Sequence, residues 1–301
     1  MAATRPRRPL LAIAAGSTAL AAVVYLFAVR TTWGQRLDSA AVKGRHVLSR
    51  HDVRLAARVH TTIDVASVAL LGAAIVIVAL LRGRPRLALG AGTVIAGSLA
   101  TTEALKRLLG RPDFGIVDAM KNTPSYPSGH TTIAMALAIG AVFVSPRHWR
   151  AVVAALGALF ASAVGCSVVA TASHRPSDPI GAAFVVTAWA AAVAAVLLRS
   201  PTDRSPGRPT WLGVSRGMAL GGVALLVASF VSITIIVVAV HFNLLDTIAF
   251  GRAFIAAGAA IVGTVLICTA ALLMALHDVD LGRPTPANAA EPTSDEEATV
   301  S

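Results

Sequence analysis

Long apolar runs separated by short polar segments make up most of the chain. An α-helix needs roughly 20 predominantly apolar residues to cross the hydrocarbon core of a bilayer. By this criterion the sequence predicts an all-α fold, a polytopic membrane bundle of about eight transmembrane helices. The predicted spans cover residues 10–29, 63–81, 87–105, 131–144, 152–172, 180–198, 218–240 and 254–276.

The composition is that of a membrane protein and excludes an ordinary soluble domain. Hydrophobic residues make up 55% of the chain and charged residues only 14%, a balance far too apolar for a soluble fold. The net charge is +11, but the basic residues lie mostly between apolar runs, where lipid headgroups and topology account for them. The sequence therefore predicts membrane contacts and no nucleic-acid partner. Cys166 and Cys268 lie inside apolar runs and predict neither a disulfide framework nor a cysteine metal site.

The basic residues also predict which side of the membrane each polar segment faces. Arginines before the first span place the amino terminus in the cytoplasm, and the basic turns at 82–86 and 146–150 fall on that same side. The polar segments 106–130 and 173–178 then share the outer face with the loop that follows His241.

Between the first two spans lies the basic, polar segment 30–60. Its apolar positions from Val42 to Val59 predict a short interfacial helix. In the orientation above this segment lies outside, against the positive-inside rule. The predicted organisation has four parts: an amino-terminal span and polar outer segment (1–60), a catalytic helical core (61–200), a basic linker with two further spans (201–276), and a disordered acidic cytoplasmic tail (277–301).

One short stretch, Pro127-Ser128-Gly129-His130, leads from a polar loop into the apolar run 131–144. Ser128 is a favourable helix N-cap residue, and Gly129 lets a ligand approach the backbone closely. The unpaired N–H groups and partial positive charge of a helix start suit a phosphate. His130 adds an ionisable imidazole, so the stretch predicts an anion-binding helix start with its own acid or base. Taken alone, the same pattern is also that of an ordinary helix cap.

A second polar cluster, Lys106 to Asp113, follows the third predicted span. Its basic side chains are candidates for phosphate contacts, although lysine and arginine after a span can also be simple membrane-edge anchors. Glu103 precedes Lys106 and Arg107 by three and four residues, so we expect it to form an ion pair with one of them.

The third cluster contains His174 and Asp178, four residues apart. They share one helix face if the sixth span begins near Pro176, a residue favoured at a first helical position. A carboxylate beside a histidine fixes its tautomer and raises its basicity, as a nucleophile or a base requires.

Together and in this order, the three clusters resemble the signature of the type 2 phosphatidic acid phosphatase superfamily, which includes vanadium haloperoxidases and bacterial acid phosphatases. That signature is a Lys followed by Arg-Pro, then Pro-Ser-Gly-His, then Ser-Arg with a later His and an Asp four residues on. Residues 127–130 match it fully, as does the spacing of His174 and Asp178. The resemblance covers roughly residues 60–200 and implies the catalytic core of the membrane branch.

The resemblance implies a role for each matching residue. His174 would attack phosphorus and form a phosphohistidine, Asp178 would orient it, and His130 would protonate the leaving oxygen and later activate water. Phosphoryl transfer of this kind needs cations and N–H donors around the equatorial oxygens, and it implies no metal and no cofactor. The groups implied to hold those oxygens are Lys106, Arg111, Ser128 and the amide of Gly129.

Two positions depart from the family pattern. The Arg-Pro pair, Arg111-Pro112, stands two residues early, and the family spacing falls on Asp113-Phe114. Where the third motif has Ser-Arg, this chain has Ser167-Val168. Losing a charge-assisted contact to a transferring phosphoryl group raises the barrier, so Arg175, next to His174, is a candidate substitute.

The resemblance therefore predicts a membrane-embedded lipid phosphate or pyrophosphate phosphatase at the outer face of the cell membrane. Phosphatidic acid, phosphatidylglycerol phosphate and undecaprenyl-type pyrophosphate all fit. Two alternatives stay open: a phosphotransferase on the same scaffold, and a non-catalytic lipid-binding or lipid-translocating protein, which the missing third-motif Arg favours. A haloperoxidase is disfavoured, because those enzymes are soluble.

Overall fold

The computed structural model describes residues 7–61, 65–116, 120, 124–198, 212–241 and 247–276. All regular structure in these ranges is helical, which confirms the all-α prediction. The predicted tail 277–301, most of the predicted linker and the loop after His241 lie outside the described residues. The helices are α1 (Arg7–Val24, continued by a π-turn over Tyr25–Val29), α2 (Thr32–Lys43), α3 (Arg50–Thr61), α4 (Val65–Leu81), α5 (Pro85–Leu108), α6 (Gly129–Val144), α7 (Arg150–Ala170), α8 (Ser177–Leu197), α9 (Leu212–His241) and α10 (Thr247–Ala275).

Each predicted span overlaps one of these helices, but the predicted count of about eight spans is not confirmed. Within the described residues, α6 is apolar but only 16 residues long, and α3 and α4 qualify only together, across a bend of 53°. Rich in glycine, alanine and hydroxyl residues, α5 is not among the candidate spans. In the part of the chain that the structure describes, five helices are long and apolar enough to cross a membrane by themselves: Arg7–Val29, Arg150–Ala170, Ser177–Leu197, Leu212–Val237 and Ala249–Ala275.

The bundle is built around α5, α6, α7 and α8, which pack against one another through small and branched side chains. Small residues at helix contacts let the backbones approach closely in a membrane. Gly157 of α7, for example, lies against Ala138 of α6, where a Cβ atom would come within 2.7 Å of the alanine methyl. Buried side chains at the centre of this core include Leu87, Met135, Phe143, Val164 and Val186.

Helices outside this group complete the bundle. Along its length α1 packs on α8, and α10 pairs with α9 while also contacting α2, α7 and α8. Buried residues of α10, such as Val265 and Leu273, belong to the same apolar core as those of α6 and α7. The α10 helix is therefore part of the bundle that holds the polar clusters.

At one end of the bundle, the carboxyl ends of α5 and α7 meet the amino ends of α6 and α8. The polar clusters lie at this end, together with α2 and α3 from the amino-terminal segment. A single interfacial helix was predicted between Val42 and Val59; the structure instead has two helices around a 3₁₀ turn at Gly44–Val47. One face of α2 is buried and carries the polar residues Gln35 and Asp38.

Candidate active site

The structure brings the stretch Pro127–His130 into contact with the third polar cluster at this end of the bundle. The imidazole rings of His130 and His174 have centroids 6.5 Å apart. The backbone N–H of Ser128 donates to the carbonyl oxygen of Asp178 at 3.0 Å. A direct backbone hydrogen bond therefore ties the start of α6 to the start of α8.

Ser128 is the N-cap of α6, as the sequence predicts. Its backbone is extended, and its fully buried hydroxyl oxygen accepts a hydrogen bond from the N–H of Thr131 at 3.4 Å. The cap satisfies one N–H of the first turn, which stabilises the helix start. Because the hydroxyl serves its own helix, the predicted contact of Ser128 with phosphate stays a prediction.

Lys106 reaches the start of α6 across Gly129. A Cβ atom at position 129 would lie 3.0 Å from the Lys106 ammonium nitrogen, so glycine leaves the room in which that nitrogen stands. The ammonium also forms an ion pair with Glu103 at 2.8 Å, which confirms the pairing expected from the sequence. A cation thus stands at a helix amino terminus, where N–H groups and the helix dipole already favour an anion.

His174 and Asp178 form the predicted pair. The His174 Nδ1 atom lies 3.1 Å from Asp178 Oδ2, and Asp178 is fully buried. The same carboxylate oxygen accepts the backbone N–H of Arg175 at 3.0 Å. The first residue of α8 is Ser177, with Pro176 as its N-cap, one residue later than the sequence suggests. A carboxylate bound at Nδ1 leaves Nε2 as the histidine nitrogen available for chemistry.

The two predicted arginines are both buried at this end. Arg111 places its Nη2 atom 3.7 Å from the carboxylate of Asp38, and it also interacts electrostatically with Asp178. Only 2% of the Arg175 surface is exposed. Val168, where the family has its third-motif arginine, is fully buried in an apolar cluster with Val169 and Ile261. The cations of this site therefore come from other positions.

The sequence predicts neither Asp38 nor His60 as a site residue, yet both reach the site. His60, near the end of α3, has its Nε2 atom 3.1 Å from Nε2 of His130, with the rings at 79°. Asp38, on α2, accepts hydrogen bonds from the backbone N–H and the hydroxyl of Ser177 at 3.1 and 2.6 Å. Neither residue belongs to a motif; the one available signal was that Asp38 is the single acidic residue of α2.

Burial changes the acidity of two groups beside the site. It raises the pKa of Asp38 to about 6, helped by the negative charge of Asp178 and opposed by the Ser177 hydrogen bonds and the Arg111 guanidinium. Burial and the Asp178 charge also raise the pKa of Tyr126, whose hydroxyl donates to the carbonyl of Ala21 at 2.6 Å. Charge is therefore costly in this region, as expected where water is excluded.

An apolar cavity of about 410 Å³ opens beside the site, between α1, α5 and α8. Two of its lining residues connect it with the clusters: Leu105 precedes Lys106, and Tyr126 stands two residues before Ser128. A volume of this size is that of a ligand pocket. Its other lining residues are Thr18, Ala21, Ala22, Tyr25, Leu26, Thr101, Leu109, Val185, Ala188 and Trp189.

Fold and site together define a helical, multi-pass membrane protein that gathers histidines, a buried carboxylate and cations at one end of its bundle. Residues 87–202 match the family model described as PAP2 superfamily. This part of the chain, which holds all three clusters, belongs to the type 2 phosphatidic acid phosphatase superfamily, and the membership supports a phosphatase-type function. Neither the curated proteins nor the solved structures gave a match.

The family match extends from α5 to just beyond α8 and leaves out the amino-terminal residues that reach the site. Asp38 and His60 are therefore features of this chain rather than of the matched segment. Among the described residues, no group of His, Cys, Asp and Glu side chains is arranged to hold a metal ion.

Proposed function

We propose that the protein is a membrane-embedded phosphatase that removes the terminal phosphate of a lipid phosphate or lipid pyrophosphate through a phosphohistidine intermediate. The observation that carries the proposal is the pairing of His174 with the buried Asp178 at 3.1 Å, with the His130 ring only 6.5 Å away. A nucleophile oriented by a carboxylate and a second imidazole close by are what a two-step phosphoryl transfer needs.

In the first step Nε2 of His174 attacks phosphorus while the bond from phosphorus to the leaving oxygen breaks. His130 donates its proton to that oxygen, so the leaving oxygen departs protonated instead of as an oxyanion. Asp178 stabilises the positive charge that develops on His174. In the second step His130 takes a proton from water, whose oxygen attacks phosphorus and breaks the bond to nitrogen. Inorganic phosphate leaves, and both histidines return to their starting states.

Cations and N–H donors hold the transferring group. Lys106, whose ammonium lies beside the start of α6, would contact one equatorial oxygen, and the Gly129 amide lies at the same helix terminus. Arg111 and Arg175, both buried at this end, are the other candidates. Preorganised donors of this kind stabilise charge on the phosphoryl oxygens and supply a large share of catalysis.

The cavity beside the site supports a lipid as the substrate. Its wall is almost wholly apolar, and its lining helices α1 and α8 are candidate membrane spans. A single acyl or prenyl chain in this space leaves its terminal phosphate next to Lys106 and the start of α6. Phosphatidic acid, phosphatidylglycerol phosphate and undecaprenyl-type pyrophosphate each join at least one such chain to a terminal phosphate.

The experiment is phosphate release by the purified full chain in lipid, with these three lipids as substrates and His174→Ala as control. We expect release by the wild type and none above background by the variant. Equal release by both would remove the proposed function. A labelled terminal phosphate further separates hydrolysis from phosphotransfer, because transfer leaves the label on an acceptor molecule instead of free phosphate.

We further propose that the site faces the outside of the cell membrane. The arginine-rich turns at 82–86 and 146–150 lie at the opposite end of the bundle, which the positive-inside rule assigns to the cytoplasm. Reporters fused after Arg150 and after Ser173 flank the candidate span α7. We expect opposite locations, with Ser173 outside; the reverse result would place the site in the cytoplasm.

One observation favours a second candidate function, that of a non-catalytic lipid-binding or lipid-translocating protein. The position of the third-motif arginine is filled by the buried Val168, so the cationic contact of that motif is absent there. The phosphate-release assay distinguishes this function from a phosphatase. A binding protein retains the lipid without releasing phosphate, and the amount of phosphate released is then the same for the wild type and His174→Ala.

A further inference from the structure

The buried face of α2 touches two parts of the candidate site at once. Gln35 and Asp38 lie three residues apart on this helix and are only 4% and 6% exposed. Both face the end of the bundle that holds the catalytic candidates. They belong to the amino-terminal segment, outside the matched residues 87–202.

The first contact is with the start of α8. The N-cap of this helix, Pro176, makes no side-chain capping bond. Asp38 supplies the cap from another helix, because its two carboxylate oxygens accept the N–H and the hydroxyl of Ser177. A carboxylate at a helix amino terminus satisfies a free N–H group and complements the helix dipole. Since Ser177 is followed directly by Asp178, this cap fixes the residue that holds His174.

The second contact is with the first motif. The Asp38 carboxylate lies 3.7 Å from the Arg111 guanidinium. Gln35 donates from its amide nitrogen to the carbonyl oxygens of Pro112 and Val29, at 2.9 and 2.8 Å. The side chain of Arg111 and the backbone of the next residue are thus both held by α2. This is the Arg-Pro pair that stands two residues early in the sequence.

We propose that Asp38, assisted by Gln35, is a positioning residue that sets Arg111 and the His174–Asp178 pair in one arrangement for phosphoryl transfer. The inference rests on the proposed function, and it explains how an Arg-Pro pair in a shifted register still serves the site. Asp38 acts through other residues: its oxygens are occupied by Ser177, and Arg111 is the group that would meet the substrate.

Removing the carboxylate should therefore affect chemistry more than substrate capture by the lipid pocket. In Asp38→Asn the shape and one acceptor oxygen remain, but the charge that faces Arg111 is lost. In Asp38→Ala both are lost. Small displacements of a positioned group cost roughly 10²-fold in rate, so we expect kcat to fall at least about tenfold in Asp38→Ala and less in Asp38→Asn, with a smaller change in KM.

The chain offers a matched control in Asp52. This exposed carboxylate also accepts the N–H and the hydroxyl of a serine, Ser49, at the start of a helix. Asp52→Asn makes the same chemical change at a carboxylate that has the same two serine donors but lies at the same helix start as that serine. Because it lies at the surface, we expect its kinetic constants to stay within about twofold of the wild type.

The experiment measures kcat and KM for the full chain in lipid, together with a double-mutant cycle of Asp38→Asn and Arg111→Gln. If Asp38 works through Arg111, the double variant loses less than the product of the two single losses. Kinetic constants of Asp38→Asn that equal those of Asp52→Asn, or single losses that simply multiply, would overturn the inference. Thermal unfolding identifies any variant that fails to fold. If Asp38→Ala does not fold, the kinetic constants of Asp38→Asn decide the test.

Failure of the proposed function is a separate result. A wild type that releases no more phosphate than His174→Ala removes that function, whatever the α2 variants do. The positioning role is then read from binding of inorganic phosphate to the purified protein. Weaker binding in Asp38→Asn than in Asp52→Asn supports the role of Asp38, and equal binding overturns it.

Discussion

At the residue scale, the contacts of the His174 and His130 imidazoles determine the chemical role that each histidine can have. His174 is held by the carboxylate of Asp178, whereas His130 meets another imidazole, that of His60, at 3.1 Å between the Nε2 atoms. When His130 carries the proton that it donates in the proposed reaction, the unprotonated Nε2 of a neutral His60 can accept a hydrogen bond from it, since a neutral imidazole has one donor and one acceptor nitrogen. His60 therefore orients the proposed acid without adding a fixed charge beside it.

Replacing His60 tests this contact. We expect His60→Ala to lower kcat on the order of tenfold, part of the roughly 10²–10⁴-fold that a positioned general acid contributes. His60→Gln, which keeps a hydrogen-bonding group, should recover some of the loss. The exposed His51 on the same helix provides the control, because His51→Ala removes an imidazole far from the site. Equal rates in all three variants would contradict the role given to His60.

The buried Asp38 predicts a pH-dependent stability. Its pKa of about 6 in the folded protein lies above the value of about 3.9 for an unfolded chain, so folding disfavours its charged form. Its contribution is thus fully present below pH 4 and is lost as the pH rises through 6, by on the order of 3 kcal/mol. The groups facing it are Ser177, Arg111 and Asp178.

The measurement is the unfolding temperature between pH 4 and pH 7, for wild type and Asp38→Asn in the same lipid or detergent. We expect the wild type to lose more stability than the variant over this range, because asparagine does not titrate. Parallel curves for the two proteins would show that folding does not raise the pKa of Asp38. Asp52→Asn serves again as control, since its carboxylate is exposed.

At the scale of elements, the contact between α8 and the loop before α6 holds the site together. Tyr126 is buried against Gly181 of α8, where no Cβ atom could be accommodated beside its ring. Tyr126 also donates its hydroxyl to the Ala21 carbonyl of α1. One tyrosine thus links α1, α8 and the loop that leads to Ser128.

Gly181→Ala is the sharpest test of this packing. The added methyl group must displace Tyr126 or α8, and overpacking of this kind costs about 1–3 kcal/mol. We expect a lower unfolding temperature and a loss of activity. Gly213→Ala, at a helical glycine with no atom near the added methyl, should leave both unchanged or raise stability slightly. Wild-type stability in Gly181→Ala would show that the contact is loose.

The two kinds of element differ in how far the sequence could predict them. Long apolar runs located the spanning helices, because burial in lipid demands them. The motif residues could be located because each lies within a few residues of the start or the end of a helix and because the motifs resemble a known signature. Asp38 could not be located from the sequence, since it contacts Ser177, a residue 139 positions further along the chain. His60 reaches His130 across 70; such contacts come from tertiary packing, which no local pattern records.

At the scale of the whole molecule, the site and the apolar cavity lie side by side, one polar and one lipid-like. This arrangement predicts that chain binding and chemistry can be changed separately. Ala188 of α8 lines the cavity but belongs to none of the polar clusters. A larger side chain there fills the space without touching the histidines.

We expect Ala188→Phe to raise KM for a long-chain lipid phosphate roughly tenfold, as loss of apolar contacts in a pocket does. The rate with a short, water-soluble phosphate ester should not change, since that substrate has no chain to place. Measuring both substrates on one preparation provides the control for folding. An equal loss with both would mean that the cavity is not where the lipid chain binds.

The capping of α8 by a side chain from α2 has a consequence for how this protein can be divided. A fragment starting at Leu87 contains every motif residue, yet it lacks the carboxylate that Ser177 uses. Such a fragment, or a chimera in which residues 87–202 of this chain replace the core of a relative, would have no Asp38 carboxylate to accept the hydrogen bonds of Ser177 at the start of α8. Grafting this core onto another scaffold therefore requires bringing α2 with it.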